Sequence, residues 1–167
     1  MNSLRRACVV LTAAAGLGVA LVPVASADPV RTVSYTSEDG AWPMQGSAQY
    51  ASPGAEINVW QHDGRLTVDV DANFDYLRIE LSAPAGETLH TGTYTGARYR
   101  APGDPALSTP GISAVTAGFG CGDDYADFTI DRLDATDGEV TGLDATFVQR
   151  CGSPDGPATR GEVHFTR

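Results

Sequence analysis

Residues 66–81 read Leu-Thr-Val-Asp-Val-Asp-Ala-Asn-Phe-Asp-Tyr-Leu-Arg-Ile-Glu-Leu. Leu66, Val68 and Val70 alternate with Thr67, Asp69 and Asp71, and Leu77, Ile79 and Leu81 alternate with Arg78 and Glu80. A period of two marks a strand with one buried and one wet face, because successive side chains leave a pleated backbone on opposite sides. The polar link Ala72-Asn73-Phe74-Asp75 between the two runs predicts a hairpin.

The same alternation recurs on either side. Ile57 and Val59 alternate with Asn58 and Trp60, Phe128 and Ile130 flank Thr129, and Val163 and Phe165 flank His164. Asp63-Gly64, Thr91-Gly92 and Asp137-Gly138 punctuate the runs as turns do. A second hairpin is expected around 134–138, and after residue 28 no apolar stripe has helical spacing. The pattern falls at roughly 30–36, 46–51 (weakly), 56–61, 65–71, 76–82, 92–99, 112–118, 126–133, 139–149 and 159–166. About eight or nine strands are expected. The fold class is therefore all-β: an antiparallel β-sandwich, with a β-barrel as the alternative because periodicity does not count sheets. The Pro-rich segment from Ala101 to Gly111 is read as loop.

The first residues have the makings of an export signal. Arg5 and Arg6 precede an uncharged run from Cys8 to Val24, and Ala25 and Ala27 stand three and one positions before a cut ahead of Asp28. The run is shorter than the roughly 20 residues that span a bilayer, so no membrane anchor is expected. The general secretory route fits better than the twin-arginine one. Residues 28–167 would then form one domain with nine arginines against 21 acids, a charge of −12. So negative a surface excludes nucleic acid and anionic membranes as partners, since both are met by cationic patches. The expected location is extracellular.

With Cys8 removed, Cys121 and Cys151 remain, and an oxidising compartment favours a disulfide between them. The rival readings are two buried thiols or half of a metal site, which the absence of CxxC and of a nearby His disfavours.

Three blocks carry a resemblance. They are Ser82-Ala83-Pro84-Ala85-Gly86-Glu87-Thr88-Leu89 with Gly92-Thr93-Tyr94-Thr95-Gly96-Ala97-Arg98; Gly118-Phe119-Gly120-Cys121 with Phe128-Thr129-Ile130; and Phe147-Val148-Gln149-Arg150-Cys151 with Gly161-Glu162-Val163-His164-Phe165. In order and spacing, residues 56–167 resemble a β-sandwich module of exported actinobacterial proteins. The resemblance implies a fold and a compartment, and its second cysteine supports pairing with Cys121. It implies no activity and no site residue.

The chemistry must come from the residues. Trp60 falls on the polar face of its run, with Asn58, Gln61 and Asp63 nearby, the combination by which a module stacks a sugar ring and bonds its hydroxyls. A cell-wall or other extracellular glycan is the expected ligand. Asp69, Asp71, Asn73 and Asp75, with Glu80 beyond, superficially spell a Ca²⁺ loop, but Phe74 occupies the place of its turn glycine and strands flank it. Asp123, Asp124 and Asp127, or Asp134, Asp137 and Glu139, are further oxygen groups, so Ca²⁺ is an optional ion and no other cofactor is expected. The three histidines are scattered, and no nucleophile elbow, H-E-x-x-H or phosphate loop occurs. The expectation is a non-catalytic module. The alternatives are a small secreted hydrolase using paired carboxylates, and a protease inhibitor presenting the 98–111 loop with Arg98 and Arg100.

Overall fold

A computed structural model describes residues 29–101 and 103–167; the expected leader, residues 1–27, lies outside the described residues. Every regular element among the described residues is a strand: β1 (Arg31–Ser37), β2 (Ser47–Ala51), β3 (Glu56–His62), β4 (Arg65–Ala72), β5 (Asp75–Ser82), β6 (Gly92–Tyr99), β7 (Gly111–Thr116), β8 (Phe119–Gly120), β9 (Asp124–Thr136), β10 (Glu139–Cys151) and β11 (Ala158–Thr166). The all-β expectation holds. The strand count rises to 11, in part because β8 lies between the runs expected at 112–118 and 126–133.

The strands form one continuous sheet in the order β2-β1-β11-β10-β9-β6-β7-β5-β4-β3, with β8 added beside β7. It curls until its edges approach each other: β3 packs against β1 and β10, and the Tyr50 hydroxyl of β2 donates to Asp75 at the start of β5 over 2.6 Å. The result is a sheet nearly closed into a barrel, in which β2 and β3 complete no ladder with each other. Register irregularities between Val140 and Gly142, between Asp144 and Ala145, and between Tyr94 and Ala97 interrupt the ladders of β9 with β10 and β6, where such bulges bend a strand and raise its twist.

All neighbours pair antiparallel except β6 and β7, where Arg98 faces Gly111 and Tyr99 faces Ile112 in parallel register. Parallel neighbours need a crossover connection. The Pro-rich segment 100–110 is that crossover.

Alternation decides the core as the sequence predicts. Leu66, Val68 and Val70 point inward with Leu77, Ile79 and Leu81, and Ile57, Ile112, Phe128 and Leu143 meet them. Tyr94 stacks on Phe128 with ring centroids 4.7 Å apart. Burying each such side chain is worth about 1.5–3 kcal/mol.

Four two-residue turns carry positive φ at both central positions: Asp63-Gly64, Asn73-Phe74, Ala117-Gly118 and Asp137-Gly138. That geometry twists with the flanking strands, and glycine adopts it without a Cβ clash. Phe74 is the exception, at φ 78 and fully exposed. The hairpin at 66–81 therefore turns more tightly than its four-residue polar link suggests. Phe74→Gly is expected to raise stability by about 0.5–1 kcal/mol, the relief of left-handed strain less glycine's greater unfolded-state entropy. Urea denaturation of the two proteins checks it.

Candidate functional site

The tight turn at Asn73-Phe74 fixes the register of β4 on β5, so Thr67 faces Glu80 and Arg65 faces Ser82. On β7 the rows continue with Ser113 and Gly111, and on β3 with Trp60 and His62. These positions alternate with the core residues and so lie on the outer face of the sheet. Thr67, Glu80, Ser82 and Ser113 are nonetheless buried. The crossover covers them. Ala85 N donates to Leu107 O over 2.6 Å, and Arg65 donates through Nη1 to Arg100 O (3.1 Å) and through Nη2 to Ala101 O (2.8 Å). Gly111 is required beneath the crossover, because a Cβ there would overlap Ser82 Oγ and press on the Arg100 side chain.

Between the crossover and this face lies a pocket of about 270 Å³, with Trp60, Asp63, Arg65, Glu80, Arg100 and Asp104 in its lining. Arg65 Nη1 also bonds Glu80 Oε2 at 2.7 Å, an ion pair with little access to water. Removal from water is costly for either charge alone, and each offsets the other here. Arg100 is buried alongside and donates through Nε and Nη2 to Asp104 O, at 3.2 and 3.0 Å. Burial lowers the affinity of its guanidinium for a proton, and the neighbouring Arg65 charge adds to the effect. The indole of Trp60, 38% exposed, forms one wall. A flat apolar surface thus stands beside carboxylates and guanidinium groups.

The four residues singled out around Trp60 divide. Trp60 and Asp63 line the pocket, with His62 Nε2 3.1 Å from Asp63 Oδ2. Asn58 shares the outward face of Trp60 two positions away, but its amide donates to Glu56 at 3.0 Å and it does not line the pocket. Gln61 alternates to the other side of β3, also outside the lining. Arg65, Thr67 and Asp104 were not singled out in the sequence, and Glu80 was named only as an oxygen beyond the acidic hairpin. The hairpin register sets Thr67 opposite Glu80 and Arg65 opposite Ser82, but that these outward positions line a pocket depends on the crossover that covers them.

The acidic hairpin is not assembled as a Ca²⁺ loop. Asp69 pairs with Arg78 Nε at 2.9 Å, Asp75 accepts from Tyr50, Asp71 is exposed and Asn73 forms the turn. Asp123, Asp124 and Asp127 also diverge, toward Arg98, Gln149 and Gly96 N respectively. Of the remaining trio, Asp134 accepts from Arg132 Nη1 (3.0 Å) and Glu139 from Arg167, while Asp137 is in its turn. Among the described residues no three His, Cys, Asp or Glu side chains converge on a point that would hold a metal ion.

The 98–111 loop presents neither arginine to a protease in this conformation. Arg98 bonds Asp123 at 2.5 Å and lies over the Tyr125 ring, 3.7 Å from its centroid, while Arg100 is turned inward. His164 is on the outer face of β11, its Nδ1 2.9 Å from Asp144 Oδ1. Arg132 foremost, then His164, holds the Asp144 carboxyl below its ordinary range. The disulfide is present: Cys121 and Cys151 are bridged, with Cα atoms 5.7 Å apart. No helix among the described residues is long and apolar enough to cross a membrane.

No protein-family model matches this chain, and neither a curated protein nor a solved structure does.

Proposed function

We propose that the protein is an exported, non-catalytic binding module that takes a cell-wall or other extracellular polysaccharide at the Trp60 pocket. The half-exposed indole of Trp60 beside the polar groups of the crossover carries this reading. A sugar ring has an apolar face that stacks on an aromatic ring, and hydroxyls that pair with carboxylates and guanidinium groups. Arg65, Glu80 and the crossover are held by bonds to one another before any ligand arrives, so little ordering is needed on binding. The disulfide and the leader sequence fit an oxidising compartment outside the cell.

The test is retention of purified protein on insoluble cell wall and on a panel of polysaccharides. Trp60→Ala is expected to lower retention about fivefold or more, the scale of one lost stacking contact of about 1 kcal/mol or more, with an unchanged circular dichroism spectrum. EDTA is expected to leave retention unchanged, because the acidic hairpin gathers no ligand set. Equal retention of the wild type and Trp60→Ala would remove the main support for this reading.

A further inference from the structure

At the start of β9, far from the Trp60 pocket in the sheet order, Asp124 and Gln149 are both completely buried; Asp124 pairs with Cys151 and Gln149 with Ala126, so the two side chains are diagonal neighbours on one face of the β9–β10 ladder. Gln149 Nε2 donates to Asp124 Oδ1 at 2.5 Å and to Trp42 O at 3.2 Å. Two acceptors on that nitrogen fix which end of the amide is which. What remains does not balance. Asp124 Oδ2 and Gln149 Oε1 are buried and have no hydrogen-bond partner. Both are acceptors if the acid is ionised, and buried polar atoms are rarely left bare. They belong to two planar groups already joined through Nε2 and Oδ1. One proton on Oδ2, directed at Oε1, would supply the missing donor and satisfy both.

We infer that Asp124 is held as the neutral acid, its Oδ2 hydroxyl donating to Gln149 Oε1 while Gln149 Nε2 donates back to Oδ1, and that this closed acid–amide pair is a pH-dependent clasp on the Trp42 loop. The loop between β1 and β2 depends on it through the bond to Trp42 O. That loop holds Trp42 edge-on to Phe119, with centroids 5.4 Å apart, and lets Trp42 Nε1 donate to Gly120 O, next to the Cys121–Cys151 bridge.

The surroundings favour the neutral form. Burial pushes the Asp124 carboxyl from its ordinary 3.8 up to about 7, against the bond from Gln149; Asp123 raises it further and Arg98 lowers it. Arg98 is itself engaged by Asp123 and lies over the Tyr125 ring, which leaves it a weak counterion for Asp124. From β10 the facing groups are Gln149 and the bridged Cys151; Trp42 offers only its carbonyl. The sign follows. Between about 4 and about 7 the folded protein keeps a proton that the unfolded chain has released, so this stabilisation is complete below about 4, fades as pH rises, and is gone above about 7.

The experiment is a carbon-13 NMR titration of side-chain carboxyls in the full exported protein, with Asp124 assigned by its absence in Asp124→Asn. A midpoint at or above about 7 supports the clasp, and a midpoint near the ordinary value of about 4 overturns it. Stability against pH adds a second readout. Asparagine reproduces the neutral pair, since its amide donates to Oε1 and its carbonyl accepts from Nε2. The ratio of unfolding constants, wild type over Asp124→Asn, is expected to rise about tenfold per pH unit between roughly 5 and 6. A ratio flat across that range overturns the inference. If Asp124→Asn fails to fold, the Asp124 resonance is assigned by through-bond correlation in the wild type, and its midpoint alone decides.

Discussion

Glu80→Ala lowers folding stability by about 3–5 kcal/mol, read as a shift in the urea midpoint at an unchanged slope. The size of the effect comes from what the substitution leaves behind. Arg65 keeps its bonds to the carbonyls of Arg100 and Ala101, so its charge stays beneath the crossover with no carboxylate bonded to it. Arg100 is buried beside it and its proton affinity is already lowered by that neighbour, so two cations would face each other in a space with little water. Exposed pairs behave differently. Arg160 and Glu38 stand 3.9 Å apart in open solvent, and breaking that pair is worth under about 1 kcal/mol. Replacing Arg65 by Met together with Glu80 by Leu should recover much of the stability, as removal of both buried charges commonly does. It would also release the two carbonyls that Arg65 holds, so proteolytic cleavage within 101–110 should accelerate in the double variant although its urea midpoint recovers.

Removing the bridge has an effect of similar size. Cys121→Ser with Cys151→Ser is expected to cost about 2–5 kcal/mol, with the chain-entropy view placing a loop of this length near 3–4 kcal/mol. The bridge spans 30 residues and encloses the β9–β10 hairpin. That hairpin brings Cys151 opposite Asp124 through its own ladder. The sulfur link therefore adds the placement of residues 117–123 against the end of β10. Loss of the link should free Phe119 from Trp42 as well, which gives the variant a second readout in tryptophan emission. Urea denaturation of the native and dithiothreitol-treated protein measures the same quantity without mutation.

The strands were legible because the apolar residues sit at every second position, and that pattern survives any arrangement of sheets. Leu143, Ala145, Phe147 and Gln149 can be placed on one face of β10 from sequence alone, and all four are buried. The cysteine pairing was legible from the count of thiols. The outer face of β4 and β5 was not. Thr67 and Glu80 alternate outward and read as wet, yet they are buried because the crossover lies on them. A Pro-rich segment has no periodicity to reveal where it packs, and nothing local signals that β6 and β7 run parallel. Trp60 and Asp63 could be named from their residue types. Arg65, Glu80 and Asp104 required register and a covering segment, which are long-range facts. The Asp124–Gln149 pair was hidden for the same reason: a carboxylate in a run of acids gives no sign that it is the one pulled out of water.

The pairing of β1 with β11 sets Arg31 opposite Phe165, and β2 hangs on β1 alone. A chain that emerges amino end first therefore delivers these two strands long before the strand they need. They must wait as loose polymer until almost the whole sequence is present. A protein truncated ahead of Ala158 should leave residues 31–51 open to protease while the hairpins from β3 to β5 remain protected.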